Sequence, residues 1–225
     1  MLRPIGGRSP QVETKVLDLP CGVKLELVHV ERGDSGLGFW LGKYEVTQGQ
    51  WEAVMGNNPS IFKGTDLPVE NVSWDDCQEF FKKLNALPEV KKSGWTYRLP
   101  TELEWEYACR AGSTGGYSKL ADGNEITKDT LDEVAWYDNN SKVKTQPVGQ
   151  KKPNAFGLYD MNGNVWEWCE DLYRVGDPYP SRVRRGGAWD GAFWCCQSSL
   201  RERNLPGQRF NFIGFRLAAT QNVNQ

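Results

Sequence analysis

Histidine is nearly missing from this chain: His29 is the only one among 225 residues. That excludes a three-histidine zinc site and a histidine facial triad, and it leaves histidine acid–base chemistry with one side chain to draw on. His29 stands in the alternating run "VKLELVHVERG", where a lone histidine reads as a strand residue rather than a ligand. Cysteine is present without a pattern. Six cysteines in a chain this long do not make the framework of a small disulfide-stapled domain, and no C-x-x-C pair suggests zinc. Neither sign of charge dominates, since 27 Lys and Arg against 29 Asp and Glu leave −2, which lacks the basic face of a nucleic-acid binder. No run is long and apolar enough to span a bilayer, no Gly-rich phosphate loop joins a strand to a helix, and no internal repeat is present.

Aromatic residues and loop formers are plentiful instead. Ten Trp, eight Tyr and nine Phe accompany 24 Gly and 12 Pro, and the mean hydropathy is −0.62. Such a composition predicts much ordered coil, packed by aromatic side chains. Helix signals are few and clear. Thr47 reads as an N-cap with Gly56 beyond the helix end; Ser73 with Asp76, and Thr101 with Glu104, have the capping-box spacing, and Gly112 marks a stop. Cys77 and Cys109 fall inside these helices and read as buried apolar residues, while Cys21 reads as half-exposed. Short strands are credible at "VWEWCEDLY", "RVRRGGAW" and "IGFRLAAT". The expected class is α+β, with one domain over 13–225 and a tag- or linker-like start over 1–12 that has no apolar signal region.

Two stretches carry chemistry. In "NAFGLYDMNGNVWEW", Asp160, Asn162, Asn164 and Glu167 crowd oxygen donors around Gly163, which suits a hard cation, although the spacing is not that of an EF-hand and also fits a plain Asn-Gly turn. In "GGAWDGAFWCCQSSLRER", Cys195 and Cys196 are adjacent, so on an extended segment they point to opposite sides and do not converge on one metal. Cys196 is expected inward and Cys195 outward among Phe193 and Trp194. Three readings compete there: catalytic cysteines, structural cysteines, or a surface built to touch something else.

The motifs "KYEVTQGQW", "PVENVSWDDC", "YRLPTELEWEYACRAG", "PNAFGLYDMNGNVWEWCED", "RVRRGGAW" and "IGFRLA", in this order, resemble the formylglycine-generating enzyme (sulfatase-modifying factor) family over almost the whole chain. The resemblance implies a variant of the C-type lectin fold, with two helices packed on short twisted antiparallel strands. It also implies that enzymes of this kind hold copper between two cysteines, which map here onto Gly191 and Cys196. With the first thiolate missing, neither copper nor formylglycine-generating activity is expected. A second enzymatic branch, the iron-dependent sulfoxide synthases, carries its iron on histidines of an additional domain, and this chain has neither. The same resemblance implies calcium at Asp160, Gly163, Val165 and Glu167.

A non-enzymatic branch fits better. Variable proteins of diversity-generating retroelements, among which the treponemal surface proteins are the kind this chain is most like, mutagenise adenines in the stretch between "GGxW" and "IGFR" to vary a ligand-binding face. Asp190, Gly191, Phe193, Cys195, Ser198, Ser199, Leu200, Phe210 and Phe212 are all obtainable from an AAC or AAT codon by changing its adenines, whereas Trp194 and Glu202 are not. The expected function is therefore a receptor-like protein displaying residues 190–212 to a macromolecular ligand, for which an aromatic-rich surface favours a protein over a glycan, with no nucleic acid and no membrane span. Trp189, Phe193, Trp194, Phe210 and Phe212 would be its anchors among adaptable polar residues. Family analogy places it at the cell surface as a lipoprotein or secreted. The rivals are a copper-dependent oxidase working from Cys196, and an accessory domain with an ordinary surface.

Overall fold

The computed structural model describes residues 12–32 and 38–221, so all of the tag-like start except Val12 lies outside the described residues. The alternating run becomes β2 (Lys24–Val30), which pairs antiparallel with β1 (Thr14–Asp18), a strand unsignalled in the sequence, with Val16 opposite Glu26. Between them Cys21 sits exposed in a 3₁₀ turn at φ +61°, a solvent-facing place rather than the half-exposed one expected. β3 (Phe39–Gly42) extends this sheet, and β9 (Ala218–Gln221) enters between β3 and β4 (Trp95–Arg98). The order is β1-β2-β3-β9-β4, antiparallel throughout.

The cap signals start the helices where they stand in the sequence. The side chains of Thr47, Ser73 and Thr101 accept the backbone N–H three residues on, while Gln50, Asp76 and Glu104 accept the cap residue's own N–H. These open α1 (Gln48–Met55), α2 (Trp74–Ala86) and α4 (Glu102–Arg110). A short α3 (Pro88–Ser93), unsignalled in the sequence, follows α2 with Pro88 in its first turn. At the end of α4 Ala111 takes the left-handed conformation, φ +47°, one residue before Gly112.

Helix α2 buries Cys77, Phe80, Phe81 and Leu84. Phe80 stacks on Trp51 of α1 at 5.4 Å between ring centroids, and Phe215 meets both edge-on. Each such ring stabilises by roughly 1.5–3 kcal/mol through burial, so this cluster anchors two helices with few side chains. A second cluster gathers Trp105, Ala108 and Cys109 of α4 against Val28, Leu41 and Ala218 of the first sheet and Val183 of the second.

That second sheet contains β5 (Trp166–Leu172), β6 (Arg182–Arg185), β7 (Arg201–Asn204) and β8 (Ile213–Gly214). Its order is β7-β6-β5-β8, with β5 and β8 parallel. The run "IGFRLAAT" is thus split: β8 closes one sheet, Phe215 to Leu217 cross over, and β9 joins the other. The α+β class and the helices packed on short strands agree with the sequence reading.

Between α4 and β5 the chain is almost all coil, apart from a 3₁₀ turn at Lys128–Glu133. Buried amides replace a ladder there. Asn154 Nδ2 donates to the Ala108 carbonyl at 2.7 Å while its Oδ1 accepts from Phe156 and Leu158. Asn162 Nδ2 donates to the Cys196 carbonyl at 2.7 Å, and Asn164 bridges the Gln146 N–H and the Glu45 carboxylate. Leaving any one of these groups unpaired would cost about 1–3 kcal/mol, which is how an irregular segment becomes a fixed one.

Candidate functional site

The crossover from β8 to β9 places Arg216 beside Glu167 of β5, with both side chains fully buried. Arg216 donates to both Glu167 oxygens and to the carbonyls of Gly42 and Tyr159, and Trp105 Nε1 donates to the same carboxylate at 2.6 Å. The guanidinium therefore already supplies the cation that Glu167 was expected to take from calcium. Asp160 has one oxygen on the Gly149 N–H and one, Oδ1, buried without a partner. Burial raises its pKa to about 6, and burial together with Asp160 and Glu167 also raises that of Glu45. Asn162 and Asn164, counted as oxygen donors in the sequence, are spent on internal hydrogen bonds. At Gly163, φ +100°, a Cβ would stand 2.3 Å from the Trp136 carbonyl oxygen, so close backbone packing accounts for this glycine. Val165 is fully buried, and its N–H donates to Glu45. Among the described residues no three His, Cys, Asp or Glu side chains gather around a metal-sized point. Of the two carboxylates expected in a calcium cage, Glu167 is committed to Arg216 and Asp160 keeps one free oxygen.

The stretch after β6 is shaped by Gly186 and Gly187, both left-handed at φ +101° and +80°. A Cβ on Gly187 would lie 2.8 Å from the backbone of Cys195, so the bare glycine lets the next turn fold back onto the strand end. That turn is 3₁₀ over Phe193–Cys196, not the extended segment expected, yet the two cysteines still diverge. Cys196 is fully buried with Tyr117, Leu131 and Ala135. Cys195 is half-buried rather than outward, and packs toward the main core.

The residues read as a binding face separate into two groups. Trp189 and Ser198 belong to the scaffold, which corrects the expectation for both. Trp189 is 8% exposed, packs edge-on against Phe62 and donates to the Asn211 carbonyl. Ser198 is fully buried and accepts from the Cys109 thiol at 3.3 Å. Phe210 is half-buried and stacks on Phe212 at 5.0 Å. Ser199 is exposed, outside either cleft. The other residues cluster around Trp194, which is 55% exposed. Trp194 lines two clefts, one of about 390 Å³ with Asp190, Gly191, Cys195, Leu200, Glu202 and Phe212. The other, of about 510 Å³, adds Ala192, Phe193 and residues between 128 and 139.

Several cleft residues carried no signal in the sequence. Arg184 of β6 lies in the smaller cleft, its guanidinium 4.4 Å over the Trp166 ring, with Nε and Nη1 buried and unpaired. Burial pushes its pKa down, with Glu202 opposite it on β7 pulling the other way. Lys128, Asp129 and Asp132 come from the 3₁₀ turn before β5 and Asp138 from the coil after that turn, and they meet Phe193 only in the folded chain.

Position 191, where the resemblance places the first copper-binding cysteine, is glycine; a Cβ there would lie 3.6 Å from Cys195 Sγ. Burial pushes the Cys196 thiol far above its ordinary range, so the nucleophilic thiolate is suppressed.

Residues 34–221 match the family model described as a sulfatase-modifying factor enzyme 1-like domain. The chaperone protein LppX of Paenibacillus barcinonensis is 36% identical over 198 residues, 67% of this chain and 69% of that protein. The formylglycine-generating enzyme of Streptomyces coelicolor is 29% identical over 82% of this chain, which spans 62% of the enzyme's length. Among solved structures, Treponema denticola variable protein 1 superposes with a TM-score of 0.78 at 31% identity, covering 91% of this chain and 98% of that one.

Proposed function

This chain belongs to the sulfatase-modifying factor enzyme 1-like family and has its variant of the C-type lectin fold, and on that premise we propose that it is a non-enzymatic, receptor-like binding protein. The family includes oxidases as well, so the choice turns on residues. One observation carries it: around the place of the expected copper pair stand a glycine at 191 and a sealed thiol at 196, while Trp194 projects between two clefts. A rigid aromatic anchor flanked by small and polar side chains is the make-up of a protein-binding surface. The likeness to Treponema denticola variable protein 1 supports diversification of that surface. So does the outward or cleft-lining position of Asp190, Gly191, Phe193, Cys195, Ser199 and Leu200, each obtainable from an asparagine codon by changing one or both of its adenines. The proposed partner is a protein, met at the cell surface or after secretion.

Sequencing the coding region for 190–212 across sibling isolates tests this. Substitutions should pile up at 190, 191, 193, 195, 199 and 200 while Trp189 and "IGFRLA" stay fixed. Uniform invariance would overturn display, and copper-dependent oxidation of a cysteine-bearing peptide by the parent protein would overturn the non-enzymatic assignment.

A further inference from the structure

The larger cleft differs from the smaller one in origin. Apart from Ala192, Phe193 and Trp194, its lining comes from residues 128–139, outside the stretch read as variable, so Phe193 is the one wall of this cleft among the positions expected to vary. Its charge is one-sided: Lys128 faces Asp129, Asp132 and Asp138. None of these three carboxylates forms an ion pair among the described residues. Lys128 is laid on the Phe193 ring, its Nζ 4.4 Å from the centroid, instead of neutralising an aspartate. The wall thus already accommodates one ammonium by its π-face. The adjoining indole of Trp194 meets the Phe193 ring in a T-shaped contact at 5.3 Å and is 55% exposed, with no cation over it among the described residues. The smaller cleft, which shares Trp194, adds Asp190 and Glu202 against Arg184, which is likewise stacked on a ring and not ion-paired among the described residues. Five carboxylates and two cations already stacked on other rings therefore line the two clefts that share Trp194, in a chain whose overall charge is only −2.

We propose that the cleft between residues 128–139 and the Phe193–Trp194 turn is a subsite for a cationic side chain, arginine or lysine, of the protein partner, built mainly from residues outside the variable stretch. The cation would lie on the Trp194 indole with Asp138 and Asp129 as counter-charges, while residues 190–202 read the side chains beside it. Like-charged carboxylates left unpaired at a surface favour a partner of opposite sign and speed its approach. The proposal rests on the display reading for the existence of a partner, but the cleft can be probed without one.

The test uses the full chain, ¹⁵N-labelled, and three blocked tripeptides: acetyl-Leu-Arg-Leu-amide, its citrulline analogue, which keeps the shape without the charge, and its glutamate analogue. The Trp194 indole N–H resonance, assigned with Trp194→Phe, is followed during titration. A saturable shift with the arginine peptide is expected, weakening as salt is added, with citrulline binding lower by about fivefold or more. The double variant Asp129→Asn/Asp138→Asn, at two exposed positions, should reduce the arginine affinity by a similar factor and leave the remaining spectrum unchanged. Equal shifts with all three peptides, no shift with arginine, or no effect of the double variant would overturn the subsite. Invariance of positions 190–200 among isolates would instead overturn display, and the titration reads independently of it.

Discussion

Arg216 holds Glu167 by two hydrogen bonds of 2.7 Å, from Nε and Nη2 to the two carboxylate oxygens, and neither side chain is exposed. Removing one member leaves the other charged and buried, so Glu167→Gln or Arg216→Met should lower unfolding free energy by about 3–5 kcal/mol in urea titrations. A smaller change would mean that water reaches the pair. With Glu167 so committed, a calcium chelator should leave the melting temperature in place; a fall of several degrees would show that a metal displaces the guanidinium.

Trp189 and Trp194 are five residues apart and do different work. Trp189→Ala removes a buried ring and should cost about 3–5 kcal/mol. Trp194→Ala, at a ring 55% exposed, should stay within about 0.5 kcal/mol of the parent in stability and abolish partner capture. Thermal melts and a pull-down on the same two variants separate the roles, and retained capture by the Trp194 variant would count against the surface described here.

Glu70 gives the stability a pH dependence. It is buried, one oxygen accepts the Ile61 and Phe62 N–H groups, the other has no partner, and burial raises its pKa to about 7. A carboxyl whose pKa is raised on folding favours the protonated native state, so its stabilisation is complete below about pH 4 and fades as pH rises to about 7. The melting temperature should fall over that window relative to Glu70→Gln, by an amount corresponding to about 1–2 kcal/mol. A parent and variant with parallel pH profiles would show that Glu70 stays ionised. Phe62, tied by this residue, is the ring against which Trp189 packs.

Position 191 faces Cys195 and not Cys196. A Cβ there would lie 3.2 Å from Cys195 Cβ, a few tenths of an ångström short of ordinary disulfide spacing. Gly191→Cys should therefore oxidise in air to a 191–195 disulfide, found by peptide mapping, with Cys196 still free. A 191–196 bridge would mean that the turn can rotate into the arrangement of the copper enzymes.

The helices were legible because their caps are local: Thr47, Ser73 and Thr101 each act on a residue three positions away. The fold itself was legible through motif order, and the scaffold residues around "WEW" through the same resemblance. What stayed hidden is non-local. Nothing near Trp189 or Ser198 says that they turn inward, because Phe62, Asn211 and Cys109 decide it. Asn162 and Asn164 looked like cation donors since their hydrogen-bond partners, Cys196 and Glu45, lie far along the chain. The acidic cleft was invisible for the same reason, being assembled from residues 128–139 and a turn more than fifty positions later.

The six unpaired cysteines form a graded series: Cys21 exposed, Cys195 half-buried, and Cys77, Cys109, Cys169 and Cys196 sealed. Burial keeps the four sealed thiols protonated, so an alkylating reagent reaches them only when the structure around each one opens. Because they sit in α2, α4, β5 and the 193–196 turn, the order of their labelling would time the breathing of four separate parts of the molecule, with no added probe.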